Sequence, residues 1–268
     1  MKKKSISIII FILIFIIFLN FSYLRSLSIM PLYSLYHKQN SIMKEKNFTI
    51  HIPGGTITKE KDWYPFVMTF HDKTISSSIG EEINLTILYN FGAFEKGRSL
   101  FYKKDSDYFN AFYGAYVIES KDNNRKYGFN EKGELIEKEI MKISSHDIET
   151  LVLKSIGCKN AKVTFHPISP PRKANYLSYK NWLVIDSNIT SKSPLHHAKN
   201  FYPAYIQYGK PPKNYKGKDF LPTHLYGRMY CRYFEEYDVT ILLYILGPNS
   251  EMVDKTDHEI LSKTVIRK

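Results

Sequence analysis

The chain has 268 residues, 43% of them hydrophobic and 24% charged, a balance that fits a folded globular protein and excludes a disordered or low-complexity chain. The formal charge is +12; Lys2, Lys3, Lys4 and Arg25 carry four of these charges, leaving eight on residues 26–268. Beside a membrane, a basic body of this kind meets anionic lipid headgroups and wall polymers, although a composition rich in Lys, Ile, Asn and Tyr gives the same excess with no ligand at all.

Residues 6–24 read ISIIIFILIFIIFLNFSYL, uncharged and directly after three lysines. About 20 apolar residues cross the hydrocarbon of a bilayer as a helix. The run therefore predicts a lipid-bilayer anchor over residues 6–24, within an anchor region 1–25. The lysines stay cytoplasmic and the bulk of the chain lies outside, in a single-pass arrangement at the cell membrane. The competing reading is a cleaved secretory signal that releases the body. Ser26-Leu27-Ser28 supplies small residues for cleavage, but the apolar run is long for a signal and Arg25 sits where a neutral site is wanted. A buried core helix is the third reading.

Residues 26–46 form a juxtamembrane linker, and 47–268 an exterior α+β region with candidate halves 47–158 and 159–268. Phe48–Ile52 alternates and runs into Pro53-Gly54-Gly55, which predicts a strand and a turn. Trp63–Phe70 and Glu81–Phe91 are further strands, the second rich in β-branched and aromatic residues. Over Asp105–Val117, the spacing of Tyr108, Phe109, Phe112, Tyr113 and Tyr116 predicts a helix with one aromatic face. Tyr127–Ile140 reads as a hairpin around Asn130–Gly133. Ser144–Ile156 reads as a helix capped by Ser144 and Asp147 and ended by Gly157.

In the second half, Ala161–Phe165 predicts a strand, Pro167, Pro170 and Pro171 a loop, and Trp182–Asp186 another strand. Residues 203–222 read as loop, Met229–Leu246 as one long strand or two, Thr256–Lys263 as a capped closing helix, and Thr264–Arg267 as a last strand. The fold class is thus α+β, a mixed and mainly antiparallel sheet packed by two or three helices. Glu81–Leu88 and Glu235–Leu242 share five of eight residues, which raises a duplicated unit as an alternative to one dissimilar sheet.

Few motifs carry chemistry. No Gly-x-Ser-x-Gly elbow, glycine-rich phosphate loop or His-Glu-x-x-His pattern occurs, so no catalytic residue, cofactor or metal is assigned. His71-Asp72 and His196-His197 are candidate acid–base or ligand pairs, each explained as well by a polar loop. In His146-Asp147 the acid suits the first turn of a helix. Cys158 and Cys231 are a candidate disulfide, permitted outside the cytoplasm. Twelve Phe and Tyr residues between Tyr89 and Phe129 suit either a glycan-stacking groove or, more simply, core.

The best ligand contacts are Lys210, Lys213, Tyr215, Lys216 and Lys218, with Tyr205 and Tyr208 nearby, facing anionic wall polymer or lipid headgroups. Nucleic acid is excluded as a partner by topology, and no binding-module signature speaks for it. The leading expectation is a surface-anchored, non-catalytic binding or accessory domain. An exterior hydrolase acting on wall or lipid substrates and a structural subunit of a membrane complex are the alternatives.

Overall fold

Val239–Gly247 reads VTILLYILG, apolar at nearly every position. A strand hides such a run only when both its faces are covered. It forms strand β9, and all nine of its residues are buried. The computed structural model describes residues 2–19, 32–53, 66–71, 73–89, 112–122, 124–154, 158, 160–192, 222–247 and 249–268.

The first elements are α1 (Lys2–Leu19), α2 (residues 32–39), α3 (Ile42–Glu45), β1 (Thr49–His51), β2 (Phe66–Phe70), α4 (Lys73–Ile79), β3 (Ile83–Tyr89) and β4 (Phe112–Ser120). Next comes α5 (Glu137–His146), which continues as a π-helical segment over Asp147–Leu153. Strands β5 (Val163–Pro167), β6 (Arg172–Tyr176), β7 (Tyr179–Lys192) and β8 (Pro222–Phe234) precede β9, and α6 (Ser250–Glu259) and β10 (Val265–Arg267) follow it.

Eight strands make one sheet in the order β2-β3-β4-β9-β8-β7-β5, with β6 also on β7, and every pairing among them is antiparallel. The architecture is α+β with a mostly antiparallel sheet and few helices, as the sequence predicts. β1 and β10 pair separately, with Ile50 opposite Ile266.

Because side chains alternate along a strand, register assigns each residue to a face. One face carries Tyr116, Leu242, Tyr244, Met229 and Cys231. Helix α5 and the π segment cover it: Tyr116 donates to Asp147 Oδ2 at 2.6 Å, and Ser144 Oγ lies 3.7 Å from Met229 Sδ. The other face carries Thr69, Thr86, Val117, Leu243, Tyr230, Arg228, Val184 and Trp182. Helices α2, α3 and α6 cover it, together with the β1–β10 pair. Ile42 N donates to Thr86 Oγ1 at 3.2 Å, Tyr230 donates to Asp257 of α6, and Phe48 stacks on Tyr237. Two covered faces are why β9 shows no alternation.

The same double cover explains the main departures from the sequence reading. The described end of the expected Asp105–Val117 helix is strand β4; residues 105–111 lie outside the described residues. Tyr113, Ala115 and Val117 pack on one face and Tyr116 and Ile118 on the other, all buried, so a two-sided strand imitates a helical aromatic stripe. The turn at Asn130–Gly133 is present, with Asn130 Oδ1 accepting from Lys132 N and Glu134 N. Its hairpin stops at a single Phe129–Leu135 bridge, and α5 begins at Glu137.

Ser144 is therefore inside the helix instead of capping it, and Asp147 is buried against Tyr116 instead of serving a first turn. The closing helix is capped by Asn249, whose Oδ1 accepts from Met252 N at 2.8 Å; Thr256 lies within it. The similar octapeptides fall on β3 and β9 with their threonines, Thr86 and Thr240, on opposite faces, so they do not hold equivalent positions. The sheet runs unbroken through β4 and β9 across both candidate halves.

Glycine marks the tightest approach. A Cβ on Gly114 would lie 2.0 Å from Leu88 O and 2.6 Å from the Tyr244 hydroxyl. The β6–β7 turn does without glycine: Leu177 and Ser178 both take positive φ, 52° and 65°.

Candidate membrane-contact surface

The amino-terminal elements give the body its most unusual surface. In α1, every described side chain from Ile6 to Ile17 is exposed, the large apolar ones by 47% to 71%. The apolar residues surround the helix, so it has no polar side to turn to water. α1 is 18 residues long and begins with its three lysines. Its uncharged part, residues 5–19, is about 22 Å long at 1.5 Å per residue, against about 30 Å of hydrocarbon. Among the described residues, no helix is long and apolar enough to cross a membrane. The predicted span runs on to Leu24, and residues 20–24 lie outside the described residues.

The expected linker is instead structured from residue 32 onward. His37 Nδ1 accepts the Thr69 amide at 3.0 Å, and the Thr69 hydroxyl donates to the His37 carbonyl at 3.1 Å. Nδ1 must then be unprotonated, and burial followed by the charge of His71 lowers the His37 pKa. Ser41 caps α3: its Oγ accepts from Lys44 N at 3.2 Å and donates to Lys38 O at 2.7 Å. Ile42 and Met43 are core residues. The reading of 26–46 as a linker followed its charges and Pro31; the missed signal was Ser41 beside Ile42-Met43, a capping residue beside an apolar pair.

A second polar cluster binds α6 to the sheet. Arg228 on β8 places Nε 2.7 Å from Asp186 Oδ1 and Nη1 2.8 Å from Asp254 Oδ1 and 3.2 Å from Asp257 Oδ2. Asp257 also accepts from Tyr176 at 2.5 Å and from Tyr230. Burial alone would lower the Arg228 pKa, but hydrogen bonding and charge from Asp186 win and raise it. Burial and then Asp257 raise both tyrosines. Arg228 thus joins three aspartates, and Arg172 adds a second cation 3.5 Å from Asp186 Oδ2, which suits a structural clamp.

Most of the expected site residues are not among the described ones. Lys210, Lys213, Tyr215, Lys216, Lys218, Tyr205, Tyr208, His196, His197 and Asp72 lie outside the described residues. His71 is exposed and its Nε2 bonds the Asn40 carbonyl at 2.8 Å. His146 is partly buried, its pKa lowered by burial and then by Lys154. Cys158 and Cys231 are both buried thiols and not a disulfide. Cys231 is enclosed at the middle of β8, and burial pushes its pKa well up, so it acts as a small core hydrophobe. Tyr113, Tyr116 and Tyr127 are buried too, so these aromatics belong to the core and not to a groove.

Among the described residues, no group of three His, Cys, Asp or Glu side chains is placed to hold a metal ion. Comparison with family models, with curated proteins and with solved structures gives no match.

Proposed function

We propose that this is a membrane-anchored protein whose α+β body is a non-catalytic binding or accessory domain on the outer side of the bilayer. One observation carries the reading: a helix apolar on all sides, with Ile6–Ile17 uncovered, precedes a sheet whose central strand β9 is buried on both faces. Burying such side chains is worth about 1.5–3 kcal/mol each, so lipid is a far better solvent for them than water. The uncharged sequence continues to Leu24 and reaches the length of a span. The three lysines before it set the orientation, with their end on the cytoplasmic side. On this reading the lysine segment Lys210–Lys218 contacts anionic wall polymer or lipid headgroups.

The test is extraction of membranes from cells making the full chain. High salt should leave the protein in the pellet and detergent should release it; release by salt alone would overturn the anchor. A reporter fused after Lys268 should be reachable from outside intact cells. One observation favours a structural subunit as the second reading: the same bare helix would also suit packing against other membrane helices.

A further inference from the structure

We propose that α2 lies on the bilayer surface, with Leu32, Leu35 and Tyr36 dipping into the boundary between headgroups and acyl chains of the membrane that holds α1. The inference rests on the anchor reading above. These residues sit at i, i+3 and i+4, so they share one side of the helix. They are 65%, 52% and 66% exposed.

The opposite side is committed to the body. Ser34 is buried and Tyr33 packs against the core. His37 exchanges two hydrogen bonds with Thr69, one through its ring and one through its carbonyl. The helix cannot roll to hide its leucines without breaking these bonds. The same two bonds therefore keep the apolar stripe turned outward.

Three observations choose lipid as the occupant. First, reach: Leu32 is eight residues beyond Leu24, the end of the uncharged run, and a chain that long spans at most about 28 Å. Covalent geometry therefore keeps the start of α2 within about that distance of the membrane surface. Second, charge: Lys38 and Lys44 are exposed beside the stripe, and Lys121 is held at the same edge by its bond to the His71 carbonyl. The exposed acids among them are Glu45 and, next to Lys121, Glu82 and Asp122. An apolar strip flanked by lysines is the pattern of a helix lying in the headgroup layer. Third, continuity: α1 has already placed apolar surface in the same bilayer. The consequence is an orientation, with the β2 edge toward lipid and the β6–β7 edge away from it. Six strand spacings separate β2 from β6, about 29 Å.

The experiment uses the full chain in vesicles of phosphatidylcholine and phosphatidylglycerol, with an environment-sensitive dye on Leu35→Cys. Ile14→Cys in α1 and Lys173→Cys on β6 are labelled in parallel. The dye at 35 should shift to the blue and lose most of its emission to nitroxides at headgroup depth. The dye at 14 should respond to nitroxides deep in the acyl region, and the dye at 173 to neither. Adding Leu32→Glu and Tyr36→Glu should abolish the response at 35 and leave that at 14. A silent label at 35 with a responding label at 14 overturns the surface contact and spares the anchor. Silence at both overturns the anchor itself. A response at 173 equal to that at 35 also overturns the proposed orientation.

Discussion

Removing the carboxylate of Asp257 tests whether the Arg228 cluster is a clamp. In Asp257→Ala, the hydroxyls of Tyr176 and Tyr230 each lose their acceptor, and Arg228 keeps Asp186 and Asp254. Hydrogen bonds to a charged partner contribute about 1.5–3 kcal/mol apiece. Two of them set a ceiling of about 3–6 kcal/mol, and breaking buried charged pairs costs about 3–5 kcal/mol. The expected loss is therefore about 3–5 kcal/mol, a large part of the ~5–15 kcal/mol that holds a domain together. Asp257→Asn keeps the shape and one good acceptor and should cost about half as much. Denaturant unfolding of the full chain in detergent, followed by far-ultraviolet circular dichroism, measures both. Adding Tyr230→Phe to Asp257→Asn should give a total well short of the sum of the two single changes. A loss below about 1 kcal/mol for Asp257→Ala would refute the clamp and leave an acid–tyrosine–arginine cluster kept for some purpose other than stability.

Four further outcomes follow from the same packing. Burial raises the tyrosine pKa at Tyr127, Tyr176, Tyr230 and Tyr244; a raised acid is most stabilising below its unfolded pKa, so stability should fall as pH climbs past about 10, read by ultraviolet absorbance of tyrosinate together with unfolding. His37 has a lowered pKa, so its docking bond is intact above the unfolded value near 6.5 and is lost as pH falls through the folded one; hydrogen exchange at the Thr69 amide, corrected for intrinsic rate, should speed up on acidification, and His37→Phe should remove that pH dependence. Gly114→Ala drives a methyl into Leu88 O, which cannot move aside as a side-chain tip can, and should cost about 3 kcal/mol or more, whereas Gly227→Ala meets only the ends of Ile189 and Leu246 and should cost about 1–3 kcal/mol in thermal melts. Ser178→Gly relieves a left-handed backbone and should stabilise the β6–β7 turn by about 1 kcal/mol, seen as a raised melting temperature.

Most of the sheet was legible because its strands carry strong local signals. Ile83–Tyr89 and Val239–Gly247 are rich in β-branched and aromatic residues and formed where expected. Strand β4 was not, because burial on both sides erased the period of two that separates strand from helix in Tyr113–Ile118. β6 was hidden by Pro170 and Pro171, which interrupt the edge between β5 and β6 while Ile168 N still bonds Asp186 O. The Arg228 cluster was illegible for a different reason. Asp186, Arg228 and Asp257 come from three elements, and only sheet register and the seating of α6 bring them together. Sequence spacing carries no trace of that.

The β1–β10 pair joins positions far apart along the chain, with Thr49 Oγ1 donating to Arg267 O across 218 residues. Closing so long a loop costs entropy that only the finished interior can offset, so this clasp should form late. Folding of the body would then wait until its last strand has emerged, and any chaperone acting on the newly made chain would find Ile50 and Ile52 the last apolar residues still in need of shelter.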